Sequence, residues 1–200
     1  MGAERIAGVV LAAGLSSRMG ANKLLLQLDG RSVVRRAVET ALASGLEPVL
    51  VVTGHERERV EAELRELRCR PVFNPDFAGG LYTSLRRGIA AVPEDALGAL
   101  VCLADMPLVE APMLERLIDA FQRARPPLVI STYEGVLAPP MLYGRGLFAE
   151  LRALDGEGCG KRVVKRHRAE AVELAWAAAA LSDLDVPDDL ERVRAFLRAG

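Results

Sequence analysis

Short runs of branched apolar residues alternate with amphipathic helical patterns along the chain, and this alternation restricts the fold more than any other feature. The spacing predicts strands over 6–12, 49–52, 70–73, 99–104, 128–132 and 171–176. Helices are expected over 32–44, 56–67, 81–91, 112–123, 146–153, 161–167 and 187–197, with loops at 74–80, 133–140 and 156–160. Within 32–44, Val34, Ala37, Val38, Ala41 and Leu42 share one helical face, and Gly45 supplies the stop. Runs that are apolar at every position, such as 49–52, suit strands buried on both faces of a parallel sheet. The class is therefore α/β, an open and mostly parallel sheet with helices on both faces. Ligands of such sheets bind beyond the C-terminal ends of the strands, which points to the loops after Ala12, Ala104 and Trp176.

The loop after Ala12 carries the chemistry. Val9-Val10-Leu11-Ala12-Ala13-Gly14-Leu15-Ser16-Ser17-Arg18-Met19-Gly20-Ala21-Asn22-Lys23 runs from a buried strand into small residues flanked by two cations. Small residues let backbone N–H groups approach phosphate oxygens, and the cations supply opposing charge. A P-loop is excluded because Ala21 and Asn22 separate Gly20 from Lys23, and no G-x-G-x-x-G follows Gly14. Taken alone, Gly14 and Gly20 also fit ordinary turns.

Asp105, in Ala104-Asp105-Met106-Pro107, places a carboxylate at a strand end facing the same crevice. Strand-end Asp often forms turns; beside a triphosphate loop it also suits Mg²⁺, which takes one or two carboxylates plus substrate phosphates. In the segment 182–190, Asp183 or Asp185 offers a second carboxylate, whereas Asp188 and Asp189 fit the first turn of a helix. Asn74, Gly80 and Ser84 lie in a loop that opens a helix, with groups suited to a base, a ribose or an acceptor. Gly156-Glu157-Gly158-Cys159-Gly160-Lys161-Arg162 reads as a lid or as a surface turn, and His55 and His167 read as structural or solvated.

Composition narrows the classes. A length of 200 residues fits one domain spanning 1–200, and a net charge of −1 gives no global pull toward nucleic acid or an anionic membrane. Aromatic residues are only 4%, too few for a base-stacking platform. No apolar run reaches the roughly 20 residues that span a bilayer. Three scattered cysteines and no signal-peptide pattern fit a reduced, cytoplasmic protein.

In this order the motifs 11–23, 74–84, 105–107, 156–161 and 183–190 resemble the nucleotidyltransferases of molybdenum cofactor maturation, over nearly the whole chain. The resemblance implies a Rossmann-like three-layer sandwich with a mostly parallel mixed sheet, similar to nucleotide-diphospho-sugar transferases. It implies transfer of a nucleoside monophosphate to the terminal phosphate of molybdopterin, with release of pyrophosphate. The implied nucleotide site is Leu11, Ala12, Ala13, Gly14, Ser16, Ser17, Arg18, Lys23, Asn74, Gly80 and Ser84. Arg18, Lys23 and Asp105 would be catalytic, with Mg²⁺ on Asp105 and Asp185. Leu11-Ala12-Ala13-Gly14 resembles the cytidylyl branch, which uses CTP; the guanylyl branch, which uses GTP, usually has glycine where Ala13 stands. Partners would be CTP or GTP, molybdopterin, and a molybdoenzyme or its chaperone. Pro139, Glu157, Gly160 and Val186 depart from residues frequent in the family. A guanylyltransferase, a sugar- or polyol-phosphate nucleotidyltransferase and a non-catalytic cofactor carrier are the alternatives.

Overall fold

The computed structural model describes residues 5–16, 19–156, 158–184 and 186–199. In chain order its strands and helices are β1 (Ile6–Ala12), β2 (Gln27–Leu28), β3 (Arg31–Ser32), α1 (Val33–Ala43), β4 (Val49–Thr53), α2 (Arg57–Ala62), β5 (Cys69–Phe73), α3 (Leu81–Ala90) and β6 (Gly98–Leu103). There follow α4 (Ala111–Ala124), β7 (Leu128–Tyr133), β8 (Val136–Leu137), β9 (Met141–Gly144), α5 (Phe148–Arg152), α6 (Cys159–His167), β10 (Val172–Trp176) and α7 (Pro187–Ala199).

The main sheet has the order β10-β7-β9-β6-β1-β4-β5, with β8 pairing onto β7. β1 lies parallel to both β4 and β6, and β4 parallel to β5. β9 runs antiparallel to β6 and β7, and β10 pairs parallel to β7. All seven residues of β1 are buried, and their period of two assigns them to opposite layers. Ile6, Val10 and Ala12 enter the layer packed by α1, α2, α4 and α7, which contributes Val38, Val60, Leu117 and Val193. Ala7, Val9 and Leu11 enter the layer packed by α3, α5 and α6, with Ile89, Leu151 and Val163. This is the three-layer α/β sandwich with a mostly parallel mixed sheet that the sequence predicts.

Two close approaches set the layers. A Cβ on Gly88 of α3 would stand 2.5 Å from Val9 Cγ1 and 3.0 Å from Val52 Cγ2, so α3 rests directly on β1 and β4. A Cβ on Gly54 would stand 2.5 Å from the Phe77 Cβ and 2.8 Å from the Ala13 Cβ, so the chain after β4 presses on the end of β1.

Several expectations need correction. The helix expected over 56–67 ends at Ala62, and i→i+3 turns then carry buried Leu64 inward before β5 begins. The sequence predicts no strand over 141–144, yet β9 is the antiparallel link between the two parallel halves. Four residues are too few for periodicity to register. The loop expected over 133–140 contains β8, and β2 with β3 forms a two-residue-per-strand ribbon. Among the described residues no helix is long and apolar enough to cross a membrane.

Candidate nucleotide cleft

From β1 the chain moves through α1 to β4 and β5 on one side, then returns through α3 to β6 on the other. The order reverses between β1 and β6, and a crevice opens where their C-terminal ends diverge. A cleft of about 430 Å³ occupies that point. Leu11, Ala13, Gly14, Ser16 and Lys23 line it from the first loop, and Leu103 and Asp105 from the end of β6. Gly80, Leu81 and Ser84 line it from the start of α3.

The first loop is held by its own polar groups. Ser16 takes a left-handed φ of 52°, and its carbonyl accepts from the Met19 N–H at 3.0 Å. Its hydroxyl accepts from the Lys23 N–H at 3.2 Å, closing the loop on itself. Asn22 caps the short 3₁₀ turn Lys23–Leu25, its side chain accepting from Leu24 N at 3.1 Å. The turn projects Lys23 back across the crevice, where Nζ meets Asp105 Oδ2 at 2.5 Å. With side-chain exposures of 12% and 20%, this pair is shielded enough to matter electrostatically.

Asp105 is fixed from three sides. The Ala104 N–H donates to the Leu11 carbonyl at 3.1 Å, extending the β1–β6 pairing to the residue before it. Arg36 of α1 donates to the Pro107 carbonyl at 3.2 Å. The Leu184 N–H donates to the Asp105 carbonyl at 3.1 Å, which brings the acidic segment after β10 against the cleft. The chemistry of this donor set fits a divalent cation: Asp105 offers hard carboxylate oxygen on the cleft wall, and substrate phosphate would complete the shell.

The other predicted residues divide. Asn74 is buried at 2% exposure, and its amide donates to Thr83 Oγ1 at 2.9 Å and Ser84 Oγ at 3.0 Å. Its carbonyl oxygen accepts from Asp76 N at 3.1 Å, so the side chain is spent in holding the loop onto α3. Ala12 points into the opposite layer. Asp183 lines a separate shallow pocket with Asp189 and Arg192. Ser17, Arg18, Glu157 and Asp185 lie outside the described residues. His167 pairs with Glu150 at 2.8 Å between α6 and α5, a structural use. Sequence reasoning passed over the apolar walls: Leu15 and Leu81, 47% and 60% exposed, flank the cleft mouth. Their exposure in flanking loops leaves no periodic signal.

A carboxylate–ammonium pair thus lies on the wall of a cleft at the switch point of a mostly parallel sheet, beside the loop that follows β1. The chain belongs to the MobA-like NTP transferase domain family, whose pattern matches residues 8–172, and is thus of nucleotidyltransferase stock. Over 202 aligned residues it is 31% identical to the purine catabolism protein PucB of Bacillus subtilis, covering 94% of this chain and 95% of that protein. A nucleotidyl transferase from Methanothermobacter, Mth528, matches with a TM-score of 0.82 at 28% identity, over 98% of this chain and 99% of the other. Rv0371c of Mycobacterium tuberculosis H37Rv, solved as a complex with manganese, matches with a TM-score of 0.81 at 28% identity, over 96% and 98%.

Proposed function

We propose that this protein transfers CMP from CTP to the terminal phosphate of molybdopterin and releases pyrophosphate. The observation that carries the reading is the Lys23–Asp105 pair, 2.5 Å apart on the wall of the cleft between β1 and β6. A phosphate oxygen of the acceptor forms a bond to the α-phosphorus as the bond from α-phosphorus to the bridging β-oxygen breaks, in line. The leaving group departs as pyrophosphate. The acceptor is already anionic, so positioning and charge neutralisation supply the catalysis.

Lys23 neutralises the reacting α-phosphate, and backbone N–H groups of the small-residue loop from Gly14 onward would meet the remaining oxygens. Arg18 holds the outgoing β- and γ-phosphates with its planar fork. The positive end of α3, starting at Leu81 on the cleft wall, favours negative charge there. Asp105, with Asp185, would hold Mg²⁺ in this protein. When bound, the ion neutralises charge developing on the phosphate oxygens. The manganese complex of Rv0371c supports a divalent metal at this fold. The Ala13 methyl lines the cleft and abuts Gly54, which supports a narrowed base pocket suited to a pyrimidine.

The test is an acceptor screen with α-labelled CTP and Mg²⁺. Label should move to molybdenum-loaded molybdopterin and not to hexose 1-phosphates or polyol phosphates. Transfer to a sugar phosphate in its place would overturn the acceptor, and binding of molybdopterin without any transfer would favour a carrier.

A further inference from the structure

A pocket of about 620 Å³ adjoins the nucleotide cleft and shares Leu15 and Ser16 with it. Asn22 lines it from the first loop, and His55, Glu56 and Arg59 line it from the start of α2. Asn22 is 5% exposed. Its Oδ1 is spent on the Leu24 N–H, but its buried Nδ2 makes no hydrogen bond among the described residues. A buried amide donor without an acceptor carries its full desolvation cost. Asn22 directly precedes Lys23, and its carbonyl accepts from the Leu25 N–H at 3.0 Å. Whatever holds the Asn22 side chain therefore also holds the turn that carries Lys23.

Glu56 is the one carboxylate among the described lining of this pocket. A polar residue at a helix N-cap often bonds the free N–H groups of its own helix, yet Glu56 makes no such bond. Its backbone takes a left-handed φ of 48°, a conformation disfavoured for a residue with a Cβ. Its carboxylate stands 2.5 Å from Arg59 Nη1 and 3.8 Å from His55 Nε2. Arg59 first, with the Asn22 amide and His55 after it, holds the carboxyl below its usual range, so it is a charged acceptor at neutral pH.

Resting on the reading of Lys23 as the group that meets the α-phosphate, we infer that Glu56 is a positioning residue: its carboxylate takes the spare Asn22 amide hydrogen when a nucleoside triphosphate is bound, and so fixes the turn that aims Lys23. In the structure Lys23 is tied to Asp105 at 2.5 Å, which steadies the turn. In the proposed reaction Lys23 turns to phosphate and that tie is lost. A charge-assisted bond from Asn22 to Glu56 replaces it, at roughly twice the strength of a neutral one. Arg59 keeps the carboxylate in place at its other oxygen.

The measurement is the dissociation constant of CTP–Mg²⁺, with GTP–Mg²⁺ in parallel, by isothermal titration calorimetry. Glu56→Ala should weaken binding about tenfold, the low end for a hydrogen bond to a charged group. Glu56→Gln keeps an acceptor oxygen and should recover binding to within about threefold of wild type. Arg59→Gln removes the ion pair, leaves the carboxylate, and should bind within about twofold of wild type, because exposed pairs contribute little. In Lys23→Met, which lacks the group being aimed, Glu56→Ala should cause no further loss. Equal affinity in wild type and Glu56→Ala, no recovery in Glu56→Gln, or additive losses in the Lys23→Met background would each overturn the inference. The same pattern with GTP in place of CTP would support it and correct only the nucleotide. The same pattern without label transfer to molybdopterin would support it and remove only the acceptor. Binding of neither nucleotide by wild type would overturn both the inference and the reading it rests on.

Discussion

Asp105 and Lys23 carry opposite charges 2.5 Å apart, and each makes the other tolerable on a partly shielded wall. The roles proposed for them at phosphorus are separable. Asp105→Ala should lower pyrophosphate release by at least about a hundredfold, the scale of removing one electrostatic stabiliser from a transition state. Far-ultraviolet circular dichroism should stay unchanged; retained turnover in a folded variant would remove Asp105 from the metal assignment. Ala13 is a second residue-scale test. Its methyl meets the cleft on one side and Gly54 on the other. Ala13→Gly should shift the ratio of kcat/KM for CTP over GTP toward GTP by about tenfold, what one methyl in a pocket provides. An unchanged ratio would place base selection elsewhere.

At the scale of elements, α3 positions the cleft because glycine lets it rest on β1. Gly88→Ala would set a methyl 2.5 Å from Val9 Cγ1, and the helix must lift. Overpacking of this kind costs about 1–3 kcal/mol, readable by urea titration. Since Leu81 and Ser84 move with α3, KM for CTP should rise while kcat changes less. A stability loss with an unaltered KM would show that α3 does not set the nucleotide subsite. The helix itself was legible in the sequence, and so were β1, β4, β6 and the loop between Ala12 and Lys23, where fully apolar runs meet small residues. Asn74 was legible as polar and loop-bound but not as buried; its three hydrogen bonds join residues nine and ten positions apart and a neighbour. β9 was not legible, because its place is decided by pairing with β6 and β7 rather than by anything within Met141–Gly144.

For the molecule as a whole, the two apolar layers hold ionisable groups in their neutral forms. Burial pushes the Cys102 thiol up from 9 to about 12, and it raises the phenols of Tyr133 and Tyr143 above their usual 10. Each ionises more readily in the unfolded chain than in the fold. The stability they confer is therefore complete below about pH 9 and declines as pH rises toward 12. The urea midpoint should hold steady from about pH 7 to pH 8.5 and fall thereafter. A midpoint unchanged at pH 11 would contradict this burial. The three-layer architecture was readable from alternation alone, whereas a second chamber behind the cleft was not: it is bounded by α3, β6, β9 and α6, which only the finished sheet brings together.

The central claim is that the cleft between β1 and β6 performs chemistry on a nucleoside triphosphate. The most direct measurement is pyrophosphate release with Mg²⁺ and molybdenum-loaded molybdopterin, comparing CTP with GTP and wild type with Asp105→Ala. The account predicts release with CTP, much less with GTP, and loss of release in a folded Asp105→Ala. Equal release by wild type and the variant, or none with either nucleotide, would contradict it.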